Sequence, residues 1–225
     1  VQAVELNIPK NCRQLVLVTT TGWNASEATL RRFTRTHENA AWEKVGTPVP
    51  VLLGEHGLAW GLGRHAIPED GAPRKVEGDR RAPAGIFPLG EAFGTRPRAS
   101  LPGLKLPYRL LTPTLEGVDD PASRHYNQIV DRARIARPDW RSSEQMAAIP
   151  AYRLGVVVAH NAQRQPGAGS CIFLHLRMSG TRGTAGCTAL READLTALVC
   201  WLDPAQQPLL MQMPQEVARR LAGVF

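Results

Sequence analysis

With 225 residues, the chain can bury about three-quarters of the surface its unfolded form exposes, so it folds without staples and reads as one domain. Its 43% hydrophobic and 21% charged residues are ordinary for a soluble globular protein, and no apolar run approaches the roughly 18 to 20 residues of a membrane-spanning helix. The formal charge of +7 favours polyanionic partners such as cell wall or nucleic acid. Its arginines are scattered, however, without a stripe interleaved with aromatic side chains, so the charge reads as a solvated surface and nucleic-acid binding is not expected.

Frequent turns, implied by 20 glycines and 18 prolines, favour β architecture over a helix bundle. The β-branched run Gln14 to Thr20 predicts an opening strand, and short apolar runs at Val49 to Leu53, Leu58 to Trp60 and Tyr152 to Ala159 predict more. Between Gly94 and Asp139 proline and charge are frequent and strand pattern is weak, as in a lid or binding wall. Ile172, Phe173 and Leu174 read as a buried strand ending at His175, and Ser179, Gly180 and Gly183 supply a flexible turn. Arg191 to Leu202 places Leu195, Leu198, Val199 and Leu202 on one helical face, with Pro204 as the stop. Leu209 to Met213 predicts a strand and Gln215 to Leu221 a short terminal helix. No internal repeat, low-complexity tract or linker is evident. The expectation is a mainly β sheet or sandwich with a few peripheral helices.

The chemistry concentrates between Ser170 and Leu190. Cys187 follows Gly186, which permits close backbone approach, and His175 ends the preceding strand, so a thiol and a base can meet there. A thiol is only a few per cent ionised at neutral pH and needs an imidazole or aligned N–H groups to favour the thiolate. Thr184 is a candidate polar neighbour or a turn-stabilising hydroxyl, and the backbone N–H groups of Gly186 and Cys187 are candidates for an oxyanion hole. Zinc would accept Cys171, His175, Cys187 and His160, but the paired ligand spacing of a zinc site is missing, so no metal is expected. If Cys187 is reserved for chemistry, Cys12, Cys171 and Cys200 leave open one disulfide or none.

His175 followed by Thr184-Ala185-Gly186-Cys187 resembles the signature of the L,D-transpeptidase (YkuD-type) family, in which a strand-end histidine precedes a Ser/Thr-x-Gly-Cys turn. The commonest form of that family has a second histidine before Gly-Cys and an arginine two residues after the cysteine, where this chain has Ala185 and Ala189. Gly78 to Phe87 looks like the family's Thr-Pro-x-Gly-x-Phe hairpin with Ala82 in place of threonine. Asp119-Asp120-Pro121, Tyr126-Asn127, Trp140, Ser143 to Met146, Tyr152 and Gly155 to Asn161 look similar to a bacterial subgroup whose catalytic domain is the whole mature protein.

The resemblance covers roughly residues 14 to 213, with a motif core at 78 to 213 of a single domain spanning 1 to 225. It implies an L,D-transpeptidase-like β-sandwich exported to the periplasm or cell envelope, with a leader removed ahead of Val1. It implies Cys187 as nucleophile and His175 as base, acting without cofactor on peptidoglycan stem peptides, with Tyr126, Asn127, Trp140, His160 and Asn161 lining the peptide groove. Carbapenem-type β-lactams would acylate the same cysteine. An L,D-carboxypeptidase would use the same residues with water as acceptor, and a wall-binding module that has lost catalysis is the alternative from another class.

Overall fold

The computed structural model describes residues 8–219. Among them the chain is mainly β. The strands are β1 (Gln14–Thr20), β2 (Glu27–Thr34), β3 (Glu43–Leu52), β4 (Leu58–Trp60), β5 (Ala82–Gly94), β6 (Tyr108–Leu110), β7 (Leu115–Val118), β8 (Gln128–Asp131), β9 (Ser143–Gln145), β10 (Leu154–Val158), β11 (Phe173–Leu176) and β12 (Thr188–Leu190). Helix α1 (Glu192–Trp201), β13 (Leu209–Pro214) and α2 (Gln215–Arg219) complete the described chain. None of these helices is long and apolar enough to cross a membrane. The predicted terminal helix begins at Gln215 as expected, and its last residues, 220 and 221, lie outside the described residues.

The main sheet runs β10-β11-β12-β3-β2-β1-β13-β5 and closes on itself, because β5 also pairs with β10. The length of β5 makes this possible. Its 13 residues take β4 as a parallel neighbour at Ala82 to Ala84, β13 at Gly85 to Pro88, and β10 at Leu89 to Gly94. The segment expected as a hairpin near residue 85 is therefore the entrance to the longest strand. Gly85 there holds φ +139, and a Cβ would sit 1.9 Å from the His65 ring, so glycine is required for that close approach. The thinnest seam joins β12 to β3 through the single pair Ala189 with Leu52, reinforced by a bridge between Gly54 and Thr184.

Six of the seven residues of β1 are buried, which needs cover on both faces. Buried Gln14 is satisfied from outside the sheet: its amide donates to Trp201 O at the end of α1 (2.8 Å) and accepts from the Asp203 N–H (2.8 Å). The four α1-face residues read from the pattern, Leu195, Leu198, Val199 and Leu202, are all buried. Within the sheet Gln212 of β13 accepts from Thr188 Oγ (2.8 Å) and donates to Pro83 O (2.9 Å), tying the strand after the cysteine to the start of β5.

The segment after β5, expected as a lid or wall, builds a separate antiparallel sheet of order β8-β7-β9, followed by 3-10 turns at Met146–Ala148 and Pro150–Arg153. Its side chains Leu111, Leu115 and Met146 share an apolar cluster with Phe93, Tyr152, Cys171, Phe173 and Cys187. The segment thus packs into the apolar cluster that contains the cysteine.

Candidate active site

β11 and β12 run parallel with Leu174 opposite Thr188 and His175 opposite Ala189. Cys187 enters β12 one residue earlier, where the Phe173 N–H donates to its Sγ at 3.3 Å. Alternation along extended chain puts Cys187 and Ala189, and with them His175, on one face. Tyr152 closes the group from above. Its ring packs edge-on against His175 with centroids 5.5 Å apart, and its hydroxyl donates to Glu144 Oε2 at 2.8 Å.

The thiol is 7% exposed, so the open groove expected at the sulfur is closed in this structure. Its hydrogen points to Cys171 O at 3.4 Å. Burial pushes the thiol up to about 12 and the Glu144 carboxyl adds to this, against smaller lowering effects of the Phe173 N–H, the Lys75 ammonium and the Tyr152 hydroxyl. At neutral pH Cys187 is a resting thiol that needs a base. Burial lowers the pKa of His175, which keeps the imidazole neutral at pH 7, with a nitrogen able to accept a proton, and makes it a weaker base than a free imidazole. Its Nδ1 lies 2.9 Å from Leu176 O; the tautomer with the proton on Nδ1 satisfies that carbonyl and leaves Nε2 as the acceptor.

Thr184 shapes the turn. Its hydroxyl donates to Cys187 O at 2.6 Å and accepts from the Gly186 N–H at 3.1 Å, while its backbone is pinned by Leu53 O and by the Glu55 N–H. Both capacities of the hydroxyl are spent on the turn. The Gly186 N–H is spent as well, so of the two donors expected for an oxyanion hole only that of Cys187 is retained as a candidate. A Cβ on Gly186 would stand 3.2 Å from Arg81 O and 3.3 Å from Ile172 Cδ1, which explains glycine beside the cysteine.

The five residues expected in the groove make hydrogen bonds to the protein, with Tyr126, His160 and Asn161 buried and Asn127 half-buried. The Tyr126 hydroxyl donates to Glu77 and accepts from the Gly169 N–H. Asn127 donates to His160 O and Asn161 O and accepts from the Cys171 N–H. His160 Nε2 pairs with Ala168 O, and Asn161 clamps Gln165 and Gly169. Trp140 is half-buried, donates to Glu116 at 2.9 Å and packs against His125. Asp120 accepts from the Ala122 and Arg141 N–H groups, as a turn carboxylate does.

The nearest cavity, of about 210 Å³, lies between β8 and β10, lined by Asn127, Ile129, Val157, Cys171 and Phe173 with Arg109 and Glu91. Two of its lining residues, Cys171 and Phe173, touch the sulfur through their backbones. All four cysteines are free thiols, three buried and Cys200 half-buried. Among the described residues no group of three or more His, Cys, Asp or Glu side chains is arranged to hold a metal ion.

Sequence reasoning assigned no role to three nearby groups. Lys75 is buried and paired to Asp79 at 2.5 Å. Glu144 and Tyr152, bonded to each other at 2.8 Å, fall in segments the family resemblance covers, and that was their one signal. Lys75 had none. Comparison with known proteins gave no match: no family model, no curated protein and no solved structure matches this chain.

Proposed function

We propose that this protein is an L,D-transpeptidase of the bacterial envelope and that its closed β sheet is a divergent form of that family's catalytic fold. The observation that carries the reading is the pair Cys187 and His175 on one face of adjacent parallel strands, with Tyr152 packed edge-on against His175, at the end of a Thr-x-Gly-Cys turn. In this mechanism Cys187 Sγ attacks the carbonyl of the L-centre residue of a tetrapeptide stem while His175 Nε2 takes the thiol proton. The tetrahedral oxyanion meets the Cys187 N–H. Collapse expels D-alanine, protonated by His175, and leaves an acyl-thioester. His175 then deprotonates an amine of a neighbouring stem, which displaces the sulfur. No cofactor enters these steps. Because Cys187 is 7% exposed, in one apolar cluster with Leu111, Leu115 and Met146, the packing around it has to open for the stem to enter.

The test is incubation with defined disaccharide-tetrapeptide muropeptides and mass analysis of products. Dimers that have lost one D-alanine support transfer. Tripeptides alone convert the assignment to an L,D-carboxypeptidase. Neither product, with Cys187→Ala indistinguishable from the parent, would leave a wall-binding module.

A further inference from the structure

The cavity of about 210 Å³ between β8 and β10 joins an apolar wall to an ion pair. Ile129, Val157 and Phe173 supply the wall; Phe173 belongs to the apolar cluster that contains Cys187, and the other two pack against it. Glu91 of β5 and Arg109 of β6 also line the cavity and meet at two points, Nε donating to Oε2 at 3.2 Å and Nη2 lying 2.8 Å from Oε1. At 27% and 36% exposed, these two side chains form its solvent side, whereas Cys171 and Phe173 are buried. Arg109 Nη1 donates to Ile129 O at 3.3 Å. A guanidinium has five N–H groups, so one on each of Nη1 and Nη2 is left over, and the Glu91 carboxylate has no partner except Arg109 among the described residues.

We propose that Glu91 and Arg109 are specificity-determining residues that bind a zwitterionic amino-acid head, an ammonium and a carboxylate on one carbon, at the end of the side chain of the donor residue that Cys187 attacks. A ligand with one charge is attracted by one member of the pair and repelled by the other. A zwitterion laid alongside meets both favourably: its ammonium donates to the Glu91 oxygens and its carboxylate accepts from the free N–H groups of Arg109. The apolar wall suits a run of methylenes leading inward. Its volume, below the roughly 300 to 1,000 Å³ of a pocket for a drug-sized ligand, suits one side chain. The inner end of that side chain falls at the reacting centre, because Cys171 and Phe173 line the cavity and touch the Cys187 sulfur through Cys171 O at 3.4 Å and the Phe173 N–H at 3.3 Å. The attacked residue is therefore a diamino dicarboxylic acid. The acceptor binds elsewhere, since an amine held as ammonium against Glu91 has no lone pair with which to displace the sulfur.

The inference rests on the transpeptidase reading for the peptide that carries the zwitterion, and the test separates the two. Binding of three tetrapeptide stems to Cys187→Ala is measured by isothermal titration calorimetry. The stems differ only in the attacked residue: meso-diaminopimelate with both charges, L-lysine with the ammonium alone, and L-2-aminopimelate with the carboxylate alone. The zwitterionic stem should bind at least about tenfold more tightly than either of the others. Adding Arg109→Gln should bring it within about twofold of the lysine stem, and adding Glu91→Gln within about twofold of the aminopimelate stem. The ratio of affinities is the readout, because a lost rung between β5, β6 and β8 that only loosens the fold weakens all three stems alike. Arg109→Lys keeps an ion pair with Glu91 but gives up the fork, and should lower the preference over the lysine stem at least about threefold. Equal affinity for the three stems, a preference that survives both glutamine variants, or binding of none overturns the inference. Release of D-alanine from the same stems by the unsubstituted protein is followed by mass analysis. Release without preference keeps the transpeptidase reading and removes the zwitterion site, whereas preference without release retires acyl transfer and leaves the site standing.

Discussion

Replacing Asn127 with glycine separates a structural clamp from a groove-lining amide. The side chain makes three hydrogen bonds: Nδ2 to His160 O at 3.0 Å and to Asn161 O at 2.9 Å, and Oδ1 from the Cys171 N–H at 3.0 Å. At about 1 kcal/mol net for each, their loss costs about 3 kcal/mol. Asn127 sits at φ +58, which glycine adopts freely, so the change isolates the side chain, whereas alanine adds about 1 kcal/mol for the left-handed backbone. Urea unfolding followed by tryptophan fluorescence should show a lower midpoint at an unchanged slope. The clamp also holds Cys171, whose carbonyl accepts the thiol hydrogen at 3.4 Å, so the glycine variant should alkylate faster at Cys187. A stability loss under about 1 kcal/mol, combined with weaker binding of stem peptide, would refute the clamp and restore the groove role.

Other expectations follow from single contacts. Leu198→Ala removes a side chain buried between α1 and the sheet and should cost about 3 kcal/mol, measured by the same unfolding curve. Gln212→Leu leaves Thr188 Oγ and Pro83 O without partners inside the sheet and should cost about 2 kcal/mol, against under about 1 kcal/mol if that bridge is incidental. His160, lowered to about 4 chiefly by burial, binds fewer protons folded than unfolded between pH 6.5 and 4. Its contribution is complete above pH 6.5 and is lost as pH falls through 4, a loss of about 3 kcal/mol. His160→Gln should therefore flatten the acid limb of stability against pH, leaving the part due to His65, which burial also lowers to about 4.

What the residues disclosed tracks how local the physics was. β1 spans Gln14–Thr20, the bounds read from its β-branched run, and the α1 face was legible because all four of its apolar positions belong to one core. β2 was not. A register shift between Leu30 and Arg32 breaks the two-residue period, so its buried side chains, Leu30 and Phe33, fall three apart among arginines. Closure of the sheet was likewise hidden, since it depends on β5 bending past β13 to reach β10. At the site, a cysteine after glycine and a histidine in the preceding strand are local signals. The partners of Asn127 lie 33 to 44 residues away, at His160, Asn161 and Cys171, so its hydrogen bonds were not legible in the sequence around it. Lys75 acts on the thiol electrostatically, across a distance set only by the fold.

The central claim is that the sulfur at 187 performs acyl chemistry. Its most direct test is intact-mass measurement after incubation with a carbapenem at neutral pH, followed by peptide mapping. One stable adduct is expected, located on Cys187, absent from Cys187→Ala and formed far more slowly in His175→Gln. An unmodified mass at saturating drug, or an adduct that maps to Cys12, Cys171 or Cys200, would contradict it.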